Sequence, residues 1–129
     1  MNVNQKGNIG LLKVISDLYN KGFTAFKPFD DYNPVDLIAM ESSGKTFRLQ
    51  VKYRSMDPKR KRYEISAQSI VNSKAVPIDR NLIDFWAVYL ADLDQVVYMP
   101  VSIMEGKGVH YITERQLGEM DERLKSAPC

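Results

Sequence analysis

Cysteine is almost absent from this 129-residue chain, and the single one, Cys129, is the last residue. That excludes a disulfide within the chain and a zinc centre built on paired cysteines. Histidine is equally scarce. His110 stands alone, without a second imidazole or a recognisable motif around it, and reads as a strand-edge residue rather than a catalytic base. No apolar run approaches the roughly 20 residues that cross a bilayer. The opening Met-Asn-Val-Asn-Gln-Lys lacks a signal-peptide pattern. No membrane association and a cytoplasmic location are therefore expected. Repeats, low-complexity stretches and linkers are also missing, so residues 1–129 read as one domain, long enough to bury a core.

What is present is an ordinary globular composition, 44% hydrophobic and 26% charged, with an uneven charge distribution. The net charge is +2. Lys52, Arg54, Lys59, Arg60, Lys61 and Arg62 fall within eleven residues, opposed there only by Asp57. This segment carries +5, which leaves −3 on the rest of the chain. A basic segment on a mildly acidic body is either a polyanion footprint or a solvated loop.

The pattern predicts a helix over residues 5–21, capped by Asn4 and stopped at Lys21-Gly22, with Leu11, Val14, Ile15 and Leu18 in a wide apolar stripe. Gly7 and Gly10 are unusual in such a helix: either another backbone comes close, or the helix begins after them. Strands are expected at 23–27, 35–41, 46–53, 84–91 and 95–101, with a short edge strand at 109–112. Residues 55–62 read as a charged loop and 64–74 as a short strand followed by a helical turn. Thr113-Glu-Arg-Gln116 is a capping box that opens an amphipathic helix to Lys125. Helix, strands and helix in this order suggest an α/β or α+β domain around one central sheet.

Polar residues interrupt two adjacent strands in a telling way. Along 46–53, Phe47, Leu49 and Val51 alternate with Arg48, Gln50 and Lys52, so the apolar set faces a core and the polar set the other side. Whether Asp36 joins that polar face depends on the hairpin. A two-residue turn at Ser43-Gly44 pairs 36 with 51, on the wrong face. A three-residue turn at Ser43-Gly44-Lys45 pairs 36 with 52, on the right one. Ser42-Ser43-Gly44-Lys45 ends like a phosphate loop, but it lacks the first glycine and the following helix, and a turn is the better reading.

Pro34-Val35-Asp36, a short hairpin, then Gln50-Val51-Lys52 resembles the signature of PD-(D/E)XK nucleases. More narrowly it resembles those with Gln at the D/E position, among them homing endonucleases encoded in bacterial group I introns. Lys6-Gly7-Asn8-Ile9-Gly10, Lys21-Gly22-Phe23, Asp84 to Tyr89 and Val97 to Val101 fall in the expected order, so the resemblance covers roughly residues 5–101. It implies a restriction-endonuclease-like fold, a central mixed sheet flanked by helices. It implies a sequence-specific endonuclease that cuts double-stranded DNA with Mg²⁺ or Mn²⁺, working as a homodimer or homotetramer. The site implied is Asp36, Gln50 and Lys52. Asp36, the Gln50 side-chain oxygen and the Val51 carbonyl would be the metal ligands, and Lys52 would orient water or stabilise the phosphate. Arg54, Lys59, Arg60, Lys61 and Arg62 become candidate DNA contacts. A restriction or junction-resolving nuclease, or a non-catalytic DNA-binding module on the same fold, is the alternative.

One position departs from the resemblance. Similar sequences carry a glutamate on the first helix where this chain has Leu11, which can bind neither metal nor water. Either the chain is weakened or inactive, naturally or by deliberate change, or the acid comes from elsewhere, with Glu41, Glu64 and Asp30 as candidates.

Overall fold

The first helix, α1, spans Val3–Asn20. It begins two residues earlier than its apolar stripe predicts, because the cap is Asn2 rather than Asn4. Asn2 accepts from the Gln5 amide and the Gln5 side chain accepts from the Asn2 amide, both at 2.9 Å, a reciprocal box that satisfies two otherwise unpaired donors. The helix ends at Lys21, and Gly22 takes the left-handed conformation, φ +88°, that turns the chain into the sheet. Of the two unusual glycines, Gly10 is buried where the helix crosses the sheet: a Cβ there would stand 3.5 Å from Tyr53 and 3.7 Å from Val51. Gly7 has open space around it, and nothing in the structure explains it.

The protein is described by a computed structural model that covers residues 1–30, 34–66, 68–71, 74–77, 81–104 and 109–113. Beyond α1 these contain β1 (Thr24–Phe26), β2 (Leu37–Met40), β3 (Thr46–Arg54), β4 (Arg62–Ser66), β5 (Gln68–Val71), β6 (Lys74–Pro77), β7 (Phe85–Leu90), β8 (Gln95–Pro100), a 3₁₀ turn (Val101–Met104) and β9 (Val109–Thr113). Two expectations are corrected. The helical turn expected after residue 64 is instead the β5–β6 hairpin. The charged loop stops at Lys61, and Arg62 opens β4. Strands β3 and β7 run parallel, which makes the sheet mixed, as the resemblance implies. The helix expected to Lys125 lies, after Thr113, outside the described residues, as does the His110 side chain.

A five-stranded mixed sheet, ordered β1-β2-β3-β7-β8, forms the centre. Parallel pairing needs a long crossover, and here its described residues form β4, β5 and β6. α1 lies on one face, with Gly10 against Val51 and Tyr53 and its main packing on β3 and β7. The opposite face, where the polar positions of β3 fall, is not open to solvent as the alternation predicts. Trp86, Val88, Leu90 and Met99 make it a second apolar layer, all fully buried. Tyr63, Ile65 and Ile112 of the β4–β9 ribbon are fully buried in the same core. Arg54 ties this ribbon to β3, its Nε donating to the Glu64 carbonyl at 2.9 Å. A strand covered on both faces reads as a continuous apolar run, and every residue of β7 is buried.

Asp84 sets the β3–β7 register from outside the ladder. Its carboxylate accepts from the Arg48 amide at 2.7 Å, from Nε at 3.1 Å and from Nη2 at 3.0 Å. The guanidinium, first of all, holds the Asp84 carboxyl below the usual range. Replacing Asp84 with alanine removes this fork and strands the Arg48 amide. It is expected to cost about 1–2 kcal/mol, the pair being partly solvent-screened. A carboxylate with a depressed folded pKa stabilises above its unfolded value of about 3.9 and loses that contribution as pH falls through the folded value. In urea melts the gap between wild type and Asp84→Ala should therefore be full at pH 7 and shrink below pH 4. A gap independent of pH would show that Asp84 acts by packing alone.

Candidate active site

Asp36 stands just before β2, where β2 and β3 diverge. Its amide donates to the Leu49 carbonyl at 2.8 Å, one residue out of step with the Leu37–Leu49 pairing, an irregularity of the bulge kind. The connecting loop is Ser42-Ser43-Gly44, closed by Glu41 N–H to the Lys45 carbonyl, with Gly44 at φ +94°. It has three residues but begins one residue earlier than the turn that would pair 36 with 52. Leu37 lies opposite Leu49 and Ile38 opposite Arg48; Asp36 precedes this register, and contacts place its carboxylate beside the Val51 amide and within reach of the Lys52 charge. Gln50 and Lys52 share a face of β3 by alternation, and Asp36 meets the Lys52 charge from the fork.

Backbone direction adds a further group. Asp36 N–H bonds the Leu49 carbonyl, while Asp84 N–H bonds that of Arg48. Odd residues of β3 thus turn their main-chain groups toward β2 and even ones toward β7. Val51 N–H accordingly points into the fork and donates to Asp36 Oδ2 at 2.7 Å. The Val51 carbonyl points the same way, past the start of β2. A carboxylate and a carbonyl therefore converge where the two strands separate.

Burial raises the Asp36 pKa, against the Val51 hydrogen bond and the positive charges of Lys52 and Lys27. Lys52 is buried too, which pushes its ammonium down to about 8, helped by Arg54 and opposed by Asp36. Gln50 is anchored on the other side: its Oε1 accepts from the Trp86 indole N–H at 2.8 Å. Two contributors escaped the sequence reading. Lys27 carries no motif, and the registration of Trp86 with Gln50 follows only from the parallel pairing.

Leu11 can be placed by helical rotation. Lys13 pairs with Asp94 at 2.8 Å and Asp17 accepts from the Tyr98 hydroxyl at 2.5 Å, so this flank of α1 faces β8. At ~100° per residue Leu11 lies about 160° around from Lys13. It therefore faces the β2 flank, next to Gly10, which sits over Val51. That is the side on which Asp36 stands. Leu11 is partly buried and packs on the core. The substitute acids are placed less favourably. Glu41 is at the opposite end of β2, bonded to Ser43 at 2.5 Å. Glu64 is exposed on β4, where its charge acts on Arg54. Asp30 is exposed in the loop ahead of the site.

The basic segment divides. Arg54 turns inward, Nη1 bonding the Tyr53 carbonyl at 2.8 Å in addition to the Glu64 contact. Lys59, Arg60 and Lys61 are exposed on a tight turn organised by Asp57, which accepts from the amides of Lys59 and Arg60 at 2.9 and 3.3 Å. Arg62 lies 3.8 Å over the Tyr111 ring. A cavity of about 410 Å³ lies elsewhere, between α1 and β8. Its lysines are already paired, Lys13 with Asp94 and Lys21 with Asp17, and none of Leu11, Asp36, Gln50, Val51, Lys52 or the basic segment lines it.

Donor chemistry decides whether a cation fits the fork. Among the described residues no cluster of three or more His, Cys, Asp or Glu side chains exists. The oxygens that do converge, carboxylate and carbonyl with an amide nearby, are hard donors of the kind Mg²⁺ takes while keeping several waters. The fit is to a site with one anion.

A mixed sheet with the carboxylate at a strand fork and the lysine two residues beyond the paired glutamine defines a class. The profile of the PD-(D/E)XK endonuclease family matches residues 1–127, and the chain belongs to that family. Among solved structures it is similar to a bacterial homing endonuclease, I-Ssp6803I. The TM-score is 0.75 at 22% identity, over 88% of this chain and 80% of that one. No curated protein matches it significantly.

Proposed function

We propose that this chain is a sequence-specific, divalent-metal-dependent DNA endonuclease of the homing type, weakened by Leu11. The convergence of the Asp36 carboxylate and the Val51 carbonyl at the β2–β3 fork, with the Lys52 charge acting on Asp36, carries this reading. Asp36, the Val51 carbonyl and the Gln50 oxygen would hold Mg²⁺ or Mn²⁺. Such an ion supplies charge stabilisation and a more acidic water for phosphodiester hydrolysis. Lys52, mostly protonated at neutral pH, offers a short-range positive charge to the phosphate, strengthened by the low-dielectric surroundings. Asp36 balances that charge, and Arg54 holds the strand end that bears Lys52. One copy supplies one cleavage centre, so cutting both strands calls for a homodimer or homotetramer.

Nicking of supercoiled plasmid tests the reading. Conversion in Mn²⁺, slower conversion in Mg²⁺ and none in EDTA are expected. DNA binding without nicking in either metal would favour the non-catalytic module instead, the alternative that Leu11 supports.

The exposed Asp57 turn supplies the DNA footprint in this reading. Neutralising Lys59 and Lys61 together should weaken binding about equally for all sequences. It should also flatten the salt dependence by about one unit of slope per lost phosphate contact. Unchanged affinity and slope in fluorescence anisotropy would remove the turn from the interface.

A further inference from the structure

We infer that Trp86 is a positioning residue for Gln50: its indole N–H keeps the amide oxygen in place, so that this oxygen is shared with a bound cation rather than released to it. The inference rests on Gln50 belonging to the metal site proposed above.

Trp86 is fully buried, and its indole nitrogen is a donor only. The acceptor it finds is Gln50 Oε1, at 2.8 Å. Gln50 and Trp86 are direct partners in the parallel β3–β7 ladder, within a strand packed on both faces, so the indole has no alternative position. Turning the amide over would bring its NH₂ against the N–H and leave a buried donor without an acceptor, an arrangement folded proteins avoid. Amide orientation, usually ambiguous, is thus decided here by chemistry. A carbonyl oxygen has two lone pairs, one for the indole and one for a cation. An aromatic residue acting through a ligand in this way is the kind of outer contact that orients metal-binding groups.

Trp86 is the only tryptophan, so the full-length protein gives one indole N–H resonance in a ¹H–¹⁵N correlation spectrum. The Val51 amide, bonded to Asp36, is an independent reporter. Without metal, Gln50→Leu should move the indole resonance. Titration with Mg²⁺ alone should move both the Val51 amide and the indole in wild type along one saturation curve, but only the Val51 amide in Gln50→Leu. Trp86→Phe should raise the Mg²⁺ midpoint read at Val51 about tenfold and leave metal-free DNA affinity unchanged. An indole resonance indifferent to Gln50→Leu would overturn the inference, and so would a Val51 response to Mg²⁺ with none at the indole. So would a folded Trp86→Phe protein with an unshifted midpoint. If Trp86→Phe does not fold, the Gln50→Leu comparison decides. A Val51 amide silent to Mg²⁺ would overturn the metal-site reading itself, and this inference with it.

Discussion

Leu11→Glu should raise metal-dependent cleavage by about tenfold or more, the range over which a metal site responds to one added supporting group. The variant places a second carboxylate on the flank of α1 that faces β2, level with Val51. Asp36 would then no longer be the site's one anion. Leu11 is only partly buried, so the cost in stability without metal should be about 1–3 kcal/mol, from lost apolar packing and a partly desolvated charge. Mg²⁺ should return part of that loss, because a ligand that binds only the folded state stabilises it. The expected pattern in thermal melts is a larger Mg²⁺-induced rise in Tm for Leu11→Glu than for wild type. A variant that folds, binds DNA and nicks plasmid no faster would show that position 11 is not a vacated catalytic position.

Asp36→Asn should reduce cleavage by about two orders of magnitude, equivalent to roughly 3 kcal/mol of lost stabilisation in the transition state, while the fold survives. Asparagine keeps a side-chain oxygen for the Val51 amide, which alanine would leave without a partner. The anion that attracts a cation is gone. Stability should move the other way. Burial disfavours the charged carboxylate, so the folded pKa lies above the unfolded value. The protonated form's contribution is complete below the unfolded value of about 3.9 and is lost as pH rises through the folded value. Asparagine has no such loss. The variant should therefore match wild type near pH 3 and equal or exceed it at pH 7 in urea melts. Where wild-type cleavage is too slow to compare, the same substitution on the Leu11→Glu background gives the contrast. Cleavage at the parental rate would remove Asp36 from the metal site.

Legibility in the sequence followed the range of the interactions. Alternation of Phe47, Leu49 and Val51 with Arg48, Gln50 and Lys52 is local, and it puts two site positions, Gln50 and Lys52, on one face from the sequence alone. The hairpin was nearly local: its three-residue loop was among the alternatives, but it begins one residue earlier, at Ser42, and the register it sets starts at Leu37 opposite Leu49, leaving Asp36 outside it. The second core was not legible. Nothing near Lys52 says that Tyr63, Ile65 and Ile112 will cover its face, and so its depressed pKa was invisible. The helical turn expected after residue 64 failed because short β segments and single helical turns have similar periodicity. The cap shift from Asn4 to Asn2 is of the same kind, one polar residue replacing another within two positions.

The crossover between β3 and β7 also sets an order of events. The β2–β3 hairpin brings Asp36, Gln50 and Lys52 together through a three-residue loop, a closure with little entropic cost. Trp86 reaches Gln50 across 36 residues that must first be laid down as strands of their own. Contacts that close long loops form late. Folding thus delivers the reactive groups first and the group that steadies them afterwards. A chain halted before Phe85 would carry the signature residues of a nuclease without the rigid strand that holds them in place.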